Sequence, residues 1–593
     1  MRRTFAVLIG LLSLAAPLAA QEAADAVQPE AAGAGTVVIS PEVAQAQRAK
    51  ADGVPVRASD WMVVAANPHA VQAGARVLAE GGTAADAMVA VQAVLGLVEP
   101  QSSGLGGGAF LVWYDGQRGQ MTTLDGRETA PLAATPRLFQ DEAGEPLQFF
   151  DAVVGGRSVG VPGTPALMEE AHRRWGRANW AGLFDEATQL AEEGFAVSPR
   201  MAAMVAGDAQ RLDRHPATRA YFLPGGKPVV EGHILRNAAY AETLRVMAQE
   251  GAGPFYTGAI ARDIVTAVQG ADNPGLLTLT DLAIYRVKAR APVCASYRVY
   301  EVCGMGPPSS GGLTVGQILG LLAPFDLSEL GPNSAESWRL IGDASRLAFA
   351  DRGRYMADSD FVPVPVEGLI DPAYLARRSG LLTGDDALPE VAAGEPEFDH
   401  TLNWADDDAI ERPSTSHISI VDRYGNALSM TTTIENAFGA RVMVRGFLLN
   451  NELTDFSFRS HRDGVPVANR VEPGKRPRSS MAPTIVLRDG EPVLVVGSPG
   501  GSRIIGYVAK TIIAHLDWGL DVQQAVALPH LVNRFGTYDV EEGTAAEALQ
   551  EPLSEMGFEV APRALTSGLH AISLGAGLMG GADPRREGVA LGR

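Results

Sequence analysis

The chain has 593 residues, of which 46% are hydrophobic and 20% charged, so it is long and apolar enough to bury a large core. Its formal net charge is -20, and no cluster of Lys and Arg is dense enough to follow a phosphate backbone. Composition therefore disfavours nucleic acid as a partner and predicts an acidic, globular protein.

The first residues are typical of an export signal. Arg2 and Arg3 precede an apolar run over residues 5–14, which leads into small residues up to Ala20. We therefore expect residues 1–20 to be a signal peptide, because the run is shorter than the roughly 20 residues of a membrane span. The mature protein is expected to be periplasmic or secreted, with no membrane span after signal removal.

The next segments alternate between helix and strand signals. Residues 21–55 show no sustained periodicity and are predicted to be a flexible N-terminal segment. A helix is predicted from Asn67 and Pro68, ending before two glycines, and a second from Ala84 to Val98. Short strands are expected at 109–114 and 121–124.

Further helices with intervening strands, such as 297–302, continue to about residue 382, which favours α/β layers. Two cysteines, Cys294 and Cys303, flank this strand-like region. In an exported protein they could form a local disulfide or remain two buried thiols, and the sequence leaves both possibilities open.

The composition changes twice near residue 400. Residues 384–414 are rich in Asp, Glu, Pro and Gly and are predicted to be a flexible acidic linker. Alternating apolar residues then predict a β-hairpin that begins at Thr415, turns at 422–426 and returns over 427–434. This divides the chain into a large part, 56–414, and a small part, 415–593.

The start of this hairpin suits a particular kind of nucleophile. A threonine hydroxyl needs a base, and the free α-amine of the same residue can act as one if the chain is cut just before it. Thr415 follows a movable linker and opens a rigid hairpin. The returning strand carries Thr431, Thr432 and Thr433, and we choose Thr433 as the hydroxyl that orients Thr415.

The residues around Thr415 resemble the processing site of the γ-glutamyltranspeptidases, which are N-terminal nucleophile hydrolases. Matching segments also occur before the linker. The resemblance covers about residue 55 to the C-terminus and is carried by Glu80–Gly82, Leu105–Gly108, Leu124–Glu128, Pro307–Gly312, Thr415–His417, Leu448–Asn451, Lys475–Met481, Gly497–Arg503 and Asp583–Arg585.

The resemblance implies roles for individual residues. Thr415 would attack a γ-carbonyl, and the backbone N–H groups of Gly500 and Gly501 match the oxyanion hole of the family. Arg127, Ser479 and Ser480 match the positions that bind the donor carboxylate, and three acids match the positions facing its ammonium group. Those acids are Glu435, Glu452 and Asp455.

Two departures from the family pattern are visible. Glu435 and Glu452 stand where some members place amides, and the segment 456–474 is shorter than the lid loop of several relatives and lacks tyrosine. The first leaves donor binding intact, since an acid also accepts hydrogen bonds from an ammonium. The second predicts a more open site and leaves the ratio of transfer to hydrolysis open.

The implied fold is α/β, a four-layer αββα sandwich of the N-terminal nucleophile hydrolase type. The implied precursor is cut between Ser414 and Thr415 into two subunits that remain together as a heterodimer. The substrates implied are glutathione, related γ-glutamyl compounds and amino-acid acceptors, with no cofactor and no metal. His417, Gly104–Gly108 and Pro307–Gly312 are interpreted as structural.

Three other functions remain to be separated from this one. A glutaryl-type acylase would keep Thr415 and the glycines but act on donors without an α-ammonium group, which Arg127 and Asp455 argue against. An inactive binding protein would capture γ-glutamyl peptides without turnover. A conventional serine hydrolase is disfavoured, because the one Gly-x-Ser-x-Gly sequence, at residues 156–160, does not follow a predicted strand as a nucleophile elbow would.

Overall fold

The computed structural model of the protein describes residues 39–398, 403–407, 409 and 411–593. The predicted signal peptide lies outside this part of the chain. Among the helices that are described, none has both the length and the apolar character needed to cross a membrane.

Two seven-stranded sheets form the centre of the molecule, and every strand pair within them is antiparallel. Sheet A contains, in spatial order, Val56–Ala58, Leu578–Ala582, His570–Leu574, Glu491–Gly497, Thr484–Arg488, Tyr300–Gly304 and Val293–Tyr297. Sheet B contains Val589–Gly592, Met62–Ala65, Ser416–Val421, Ala427–Thr433, Gly108–Asp115, Gln120–Gly126 and Lys288–Arg290.

The two sheets share a buried apolar cluster to which Met62 and Val112 of sheet B and Val495 and Ile572 of sheet A belong. On its other side, sheet B shares a core with the helices Pro68–Ala79 and Ala84–Val98. Sheet A shares a separate core with the helices Gly311–Leu322 and Ile504–Leu516. Burial of these apolar surfaces is the main force that holds the layers together.

The remaining regular elements surround these layers. The other α-helices are Pro41–Ala51, Phe149–Val153, Thr164–Trp175, Asp185–Glu193, Pro199–Leu212, Pro216–Phe222, Ala238–Glu250, Gly253–Thr257, Ala259–Gln269, Leu279–Ile284, Leu327–Leu330, Ala335–Tyr355, Val366–Leu369, Pro372–Ser379, Val522–Ala527 and Gln550–Glu555. The small sheets pair Phe195–Ala196 with Ile234–Leu235, Met443–Val444 with Phe447–Leu448, His461–Arg462 with Val465–Pro466, and Leu531–Asn533 with Thr537–Glu541 and Glu559–Arg563.

Several sequence predictions are confirmed. The side chain of Asn67 caps the helix Pro68–Ala79 by accepting a hydrogen bond from the His69 N–H, and the second helix spans the predicted residues Ala84–Val98. The two predicted strands lie within Gly108–Asp115 and Gln120–Gly126. The hairpin after Thr415 pairs Ser416–Val421 with Ala427–Thr433.

Two predictions about local structure are wrong. Within the segment expected to lack periodicity, Pro41–Ala51 is a helix that is capped by the Ser40 side chain and buries Val43 and Ala46. Few of its residues are apolar and buried, so the helical periodicity of the sequence was too weak to predict this helix. The region between the cysteines is not one strand, because the chain reverses at residues 298–299.

The reversal makes Cys294 and Cys303 direct cross-strand neighbours in a hairpin. Their sulfur atoms are joined in a disulfide. Of the two alternatives that the sequence left open, the structure therefore has the disulfide. It ties the edge strand Val293–Tyr297 of sheet A to its neighbour Tyr300–Gly304, and neither sulfur is free for chemistry.

The predicted flexible, solvated linker is only partly right: none of residues 384–398 is buried, but this segment is hydrogen-bonded to the core and the end of the linker is buried. The N–H of Leu388 bonds to Asp343 and the N–H of Gly394 to Asp351, both on the long helix Ala335–Tyr355. Asp407, Glu411 and Ser414 are buried. Polar composition misled the prediction, because these polar groups are satisfied by buried partners rather than by water.

Candidate active site

Thr415 lies directly before Ser416–Val421, an inner strand of sheet B. Because Ser416 pairs with Thr432, the next residue back faces Thr433, and the Thr415 Oγ1 donates a hydrogen bond to the Thr433 Oγ1 over 3.2 Å. Thr433 also accepts a hydrogen bond from the Glu435 N–H, which fixes its rotamer. The predicted partner of Thr415 is therefore in contact with it.

The backbone at Thr415 is strained. Its φ angle is +124°, a region that a β-branched residue rarely adopts and that costs about 1–3 kcal/mol. The carbonyl of Thr415 faces the guanidinium of Arg586, and the preceding Ser414 hydroxyl donates to the Gln101 carbonyl. The bond between Ser414 and Thr415 is thus held rigidly on both sides.

One small pocket brings most of the predicted site residues together. Thr415 and Thr433 lie on its wall with the predicted donor-binding residues, which are Arg127, Glu435, Glu452, Asp455, Ser479 and Ser480. Gly501 lines it as well, and Gly500 directly precedes Gly501. Ser414 does not line this pocket, although it adjoins Thr415.

Arg127 occupies the centre of a buried charge cluster. Its guanidinium forms ion pairs with Glu452 and, at 2.5 Å, with Asp455. It also donates to the backbone carbonyls of Pro477 and Arg478. Arg127 is fully buried, so these contacts hold it in one orientation.

Three acids of the pocket, Glu435, Glu452 and Asp455, have raised pKa values. Burial raises the pKa of Asp455 well above its usual range despite the opposing effect of Arg127, and the neighbouring acids add to the rise. Burial and Glu452 raise the pKa of Glu435 to about 7. One oxygen each of Glu452 and Asp455, Oε2 and Oδ1, has no hydrogen-bond partner in the described part of the chain. Such oxygens can accept bonds from a cation.

Ser479 and Ser480 are positioned by the loop 307–312. The Ser310 hydroxyl and N–H both donate to the Ser479 carbonyl, and the Ser309 hydroxyl donates to the Met481 carbonyl. This agrees with the structural interpretation of that loop. The glycine segment 104–108 is also structural, since a side chain on Gly107 would collide with the Thr433 carbonyl.

The glycine turn that was predicted to stabilise an oxyanion lies between a strand and a helix. Gly500 and Gly501 have φ angles of +135° and +56°, which favour glycine. Behind the turn, Arg503 donates to the Asp539 carboxylate at 2.9 and 3.0 Å, and Arg534 bridges that carboxylate to the Ser502 hydroxyl. These contacts fix the turn at the N-terminal end of the helix Ile504–Leu516.

Sequence reasoning missed Glu411, a linker residue that fills part of the pocket. Its carboxylate forms an ion pair with Arg352 and accepts a hydrogen bond from the Ser480 hydroxyl at 3.0 Å. Its backbone carbonyl accepts from the Ser502 N–H, next to the glycine turn. Arg478 was missed as well, although it lies in the same sequence motif as Ser480. That motif could have identified it as a residue beside the pocket.

Two other features bear on the chemistry. The buried ring of His417 contacts Thr431 and Ser419 rather than Thr415, and burial lowers its pKa well below the usual value, so it has the structural role expected. Among the described residues, no group of three or more His, Cys, Asp or Glu side chains could hold a metal ion.

Comparisons with known proteins place this geometry in context. The family model described as gamma-glutamyltranspeptidase matches residues 70–593. The glutathione hydrolase proenzyme of Bacillus subtilis (strain 168) is 38% identical over 90% of this chain and 91% of its own length.

Solved structures are similar as well. The cephalosporin acylase of Bacillus halodurans has a TM-score of 0.81 at 26% identity, covering 91% of this chain and 97% of that one. The γ-glutamyltranspeptidase of Helicobacter pylori has a TM-score of 0.55 at 36% identity, covering 57% of this chain and 96% of that one.

Proposed function

The chain belongs to the γ-glutamyltranspeptidase family of enzymes, and we propose that it transfers γ-glutamyl groups from glutathione and related amides to water or amino-acid acceptors. The observation that carries the proposal is the placement of Thr415 against Thr433 in the same pocket as Arg127, Asp455 and Ser480. A nucleophile and groups for both charges of a glutamyl donor thus face one another.

Activation begins with the cut. The Thr415 hydroxyl attacks the Ser414 carbonyl carbon, the peptide nitrogen leaves as the new α-amine, and water then hydrolyses the resulting ester. The positive φ at Thr415 supports this step, because breaking the bond releases backbone strain. The products are a large subunit ending at Ser414 and a small subunit that begins with Thr415.

In the cut enzyme the α-amine of Thr415 acts as the base. It takes the hydroxyl proton while the oxygen attacks the γ-carbonyl, and it returns the proton to the leaving amine. The backbone N–H groups of Gly500 and Gly501 stabilise the negatively charged oxygen of the intermediate. Water or an acceptor amine then releases the γ-glutamyl group from Thr415.

Donor recognition uses opposite charges at opposite ends. Arg127, Ser479 and Ser480 bind the α-carboxylate, while the free oxygens of Glu452 and Asp455 and the carboxylate of Glu435 accept hydrogen bonds from the α-ammonium. The reaction needs neither a cofactor nor a metal.

The proposal also includes the architecture of the protein, its export and its cellular location. We infer a four-layer αββα sandwich, an exported precursor whose signal is residues 1–20, and two subunits, 56–414 and 415–593, that stay together as a heterodimer in the periplasm or outside the cell. The interleaved strands support the heterodimer, since sheet B takes strands from both sides of the cut.

A second candidate function is the hydrolysis of glutaryl amides, which lack the α-ammonium group. The similarity to a cephalosporin acylase structure over 91% of this chain favours testing it. It would leave Glu435, Glu452 and Asp455 without an ammonium group to bind, so the geometry supports it less well.

The test compares release of a coloured aniline from γ-glutamyl and glutaryl anilides by the purified full chain. A preference for the γ-glutamyl donor supports the proposal, and a preference for the glutaryl donor favours the acylase. No release from either anilide would leave only a binding function.

A further inference from the structure

The helix Pro41–Ala51 ends beside the C-terminal segment of the chain. Lys50, in the last turn of this helix, donates hydrogen bonds from Nζ to the Arg586 carbonyl at 2.8 Å and to the Gly588 carbonyl at 2.7 Å. One ammonium group therefore holds both ends of a three-residue segment. Lys50 lies outside the segments that carry the family resemblance, which gives this residue no role.

The segment 586–588 is closely packed on its other sides. The Glu587 carboxylate accepts a hydrogen bond from the Arg200 N–H at 3.1 Å, at the start of a helix. A side chain on Gly588 would collide with neighbouring side-chain and backbone atoms, so the backbone passes close to them. The segment thus has a defined position, and Lys50 supplies hydrogen bonds to two of its carbonyls.

Arg586 connects this segment to the catalytic threonine. Its Nη1 donates to the Thr415 carbonyl at 3.5 Å, and its Nη2 donates to the Thr566 carbonyl at 3.3 Å. A side chain on Gly568 would collide with the Arg586 stem and with Pro499, which directly precedes the glycine turn. Because Arg586 is buried in these contacts, its guanidinium is positioned by the backbone that carries it.

The cut changes how Thr415 is held. Before the cut, peptide bonds restrain the residue on both sides. Afterwards it is attached only to Ser416, so the contact of its carbonyl with Arg586 becomes a larger part of what orients it. A displacement of about 1 Å in a reacting group can cost about 100-fold in rate, so this orientation matters for catalysis.

The charge of Lys50 is retained near neutral pH. Burial lowers the pKa of Lys50 to about 8, while the carboxylates of Asp583 and Glu587 oppose the shift. Both hydrogen bonds to the segment are therefore made by an ammonium group. Such bonds are about twice as strong as those between neutral groups.

We propose that Lys50 is a positioning residue for the nucleophile: it fixes the segment 586–588 so that Arg586 holds the Thr415 carbonyl in the cut enzyme. This inference rests on the proposed function. Lys50 precedes the cut, whereas Arg586 and Thr415 follow it. The N-terminal helix therefore supports a nucleophile that it does not touch.

The first experiment measures steady-state kinetics with γ-glutamyl anilide. We expect Lys50→Met to lower kcat about ten-fold and to change KM by less than about two-fold, because the donor pocket keeps all its residues. Lys50→Arg restores a cation with several donors and should recover most of kcat. A Lys50→Met enzyme with wild-type kcat, or one in which only KM changes, would overturn the proposal.

The matched control is Arg48→Met. Arg48 lies in the same last turn of the helix, but its side chain is exposed. This variant should have the wild-type kcat and KM. A loss of kcat equal to that of Lys50→Met would show that any change in this turn impairs the enzyme, and it would overturn the specific role of Lys50.

A double-mutant cycle tests whether Lys50 acts through Arg586. Lys50→Met should lower kcat about ten-fold in the wild-type chain and hardly at all in a chain that already carries Arg586→Met, because the group that it positions is then absent. The same factor in both chains would mean that the two residues act independently, and it would overturn the proposal.

The second experiment requires neither turnover nor the cut. Hydrogen exchange is compared between the Thr415→Ala chain and the chain that carries both Thr415→Ala and Lys50→Met. We expect the amides of 586–592 to exchange about ten-fold faster in the double variant, with those of the strand Thr484–Arg488 unchanged.

Unchanged exchange at 586–592 would overturn the proposal. Faster exchange in Thr484–Arg488 as well would mean that Lys50 serves the fold as a whole, which would also overturn a positioning role. A wild-type chain that releases no aniline would contradict the proposed function, whereas the exchange result would still decide whether Lys50 holds this segment.

Discussion

The hydroxyl of Thr415 lies 3.2 Å from the hydroxyl of Thr433, across the register of two paired strands. The contact follows directly from the hairpin, because residues that face each other across antiparallel strands are close neighbours. Thr433 is held by the Glu435 N–H, so it can fix the direction in which the Thr415 oxygen points.

Thr433→Val should therefore keep the fold and lower kcat by about 100-fold, since the nucleophile loses its orienting partner. Thr433→Ser should retain most of the activity, because it preserves the hydroxyl. Steady-state kinetics with a γ-glutamyl anilide measure both variants. A Thr433→Val enzyme with wild-type kcat would remove Thr433 from the mechanism.

The carboxyl of Glu435 predicts a pH dependence of stability in the uncut protein. Its pKa rises from 4.5 in the unfolded chain to about 7 in the folded one. The folded state therefore keeps a proton that the unfolded state loses between these values. The stabilisation is present below pH 4.5 and is lost as pH rises to about 7, by on the order of 3 kcal/mol.

Thermal unfolding of Thr415→Ala at pH 5 and pH 8 tests this point. Adding Glu435→Gln should make the loss of stability between the two pH values smaller, while Glu250→Gln, at an exposed position, should leave it unchanged. The same decline in all three proteins would show that another group is responsible.

The carboxylate of Asp539 links three arginines behind the glycine turn, with Arg563 added at 2.8 Å. Asp539→Asn should lower the free energy of unfolding by about 3–5 kcal/mol, because it leaves buried arginines without their anion. It should also lower kcat more than it raises KM, since the turn serves the intermediate.

The control is Asp213→Asn, which breaks an exposed ion pair with Arg219. A surface pair contributes little, so we expect a change below about 1 kcal/mol. Denaturant unfolding and anilide kinetics provide both measurements. An Asp539→Asn protein as stable and active as the control would show that the arginines do not need this carboxylate.

The disulfide between Cys294 and Cys303 closes a short loop with a separation of nine residues. Replacing both cysteines by alanine should lower stability by about 2–3 kcal/mol through the unfolded chain and leave kcat unchanged. Intact mass before and after reduction verifies the bond, and thermal unfolding measures its effect. Unchanged stability would mean that the disulfide does not restrict the unfolded chain as this argument requires.

The parts of the site that follow from local chemistry could be predicted from the sequence. The capped helix at Asn67 and the hairpin after Thr415 depend on neighbouring residues alone, so their patterns are clear. The pairing of Thr415 with Thr433 then follows from strand geometry. The pocket partners Arg127 and Ser480 were identified by resemblance, since they lie far apart in the chain.

Contacts that depend on the tertiary fold could not be predicted in this way. Glu411 looks like one more acid in a polar segment, yet Arg352 and Arg478 bury it. The Cys294 hairpin was predicted as one strand, because its turn at 298–299 contains neither Gly nor Pro. The composition of a segment indicates whether it can be exposed to water, but it does not indicate which residues surround it in the folded protein.

The central claim is that the Thr415 hydroxyl cuts the chain and then serves as the nucleophile. Its most direct test is intact-mass analysis of the purified wild type, Thr415→Ala and Ser416→Ala, with anilide release measured on the same samples. For the wild type and Ser416→Ala we predict two fragments, one ending at Ser414 and the other beginning at Thr415. For Thr415→Ala we predict a single uncut chain without activity. A Thr415→Ala protein that is cut normally and releases aniline would contradict the account.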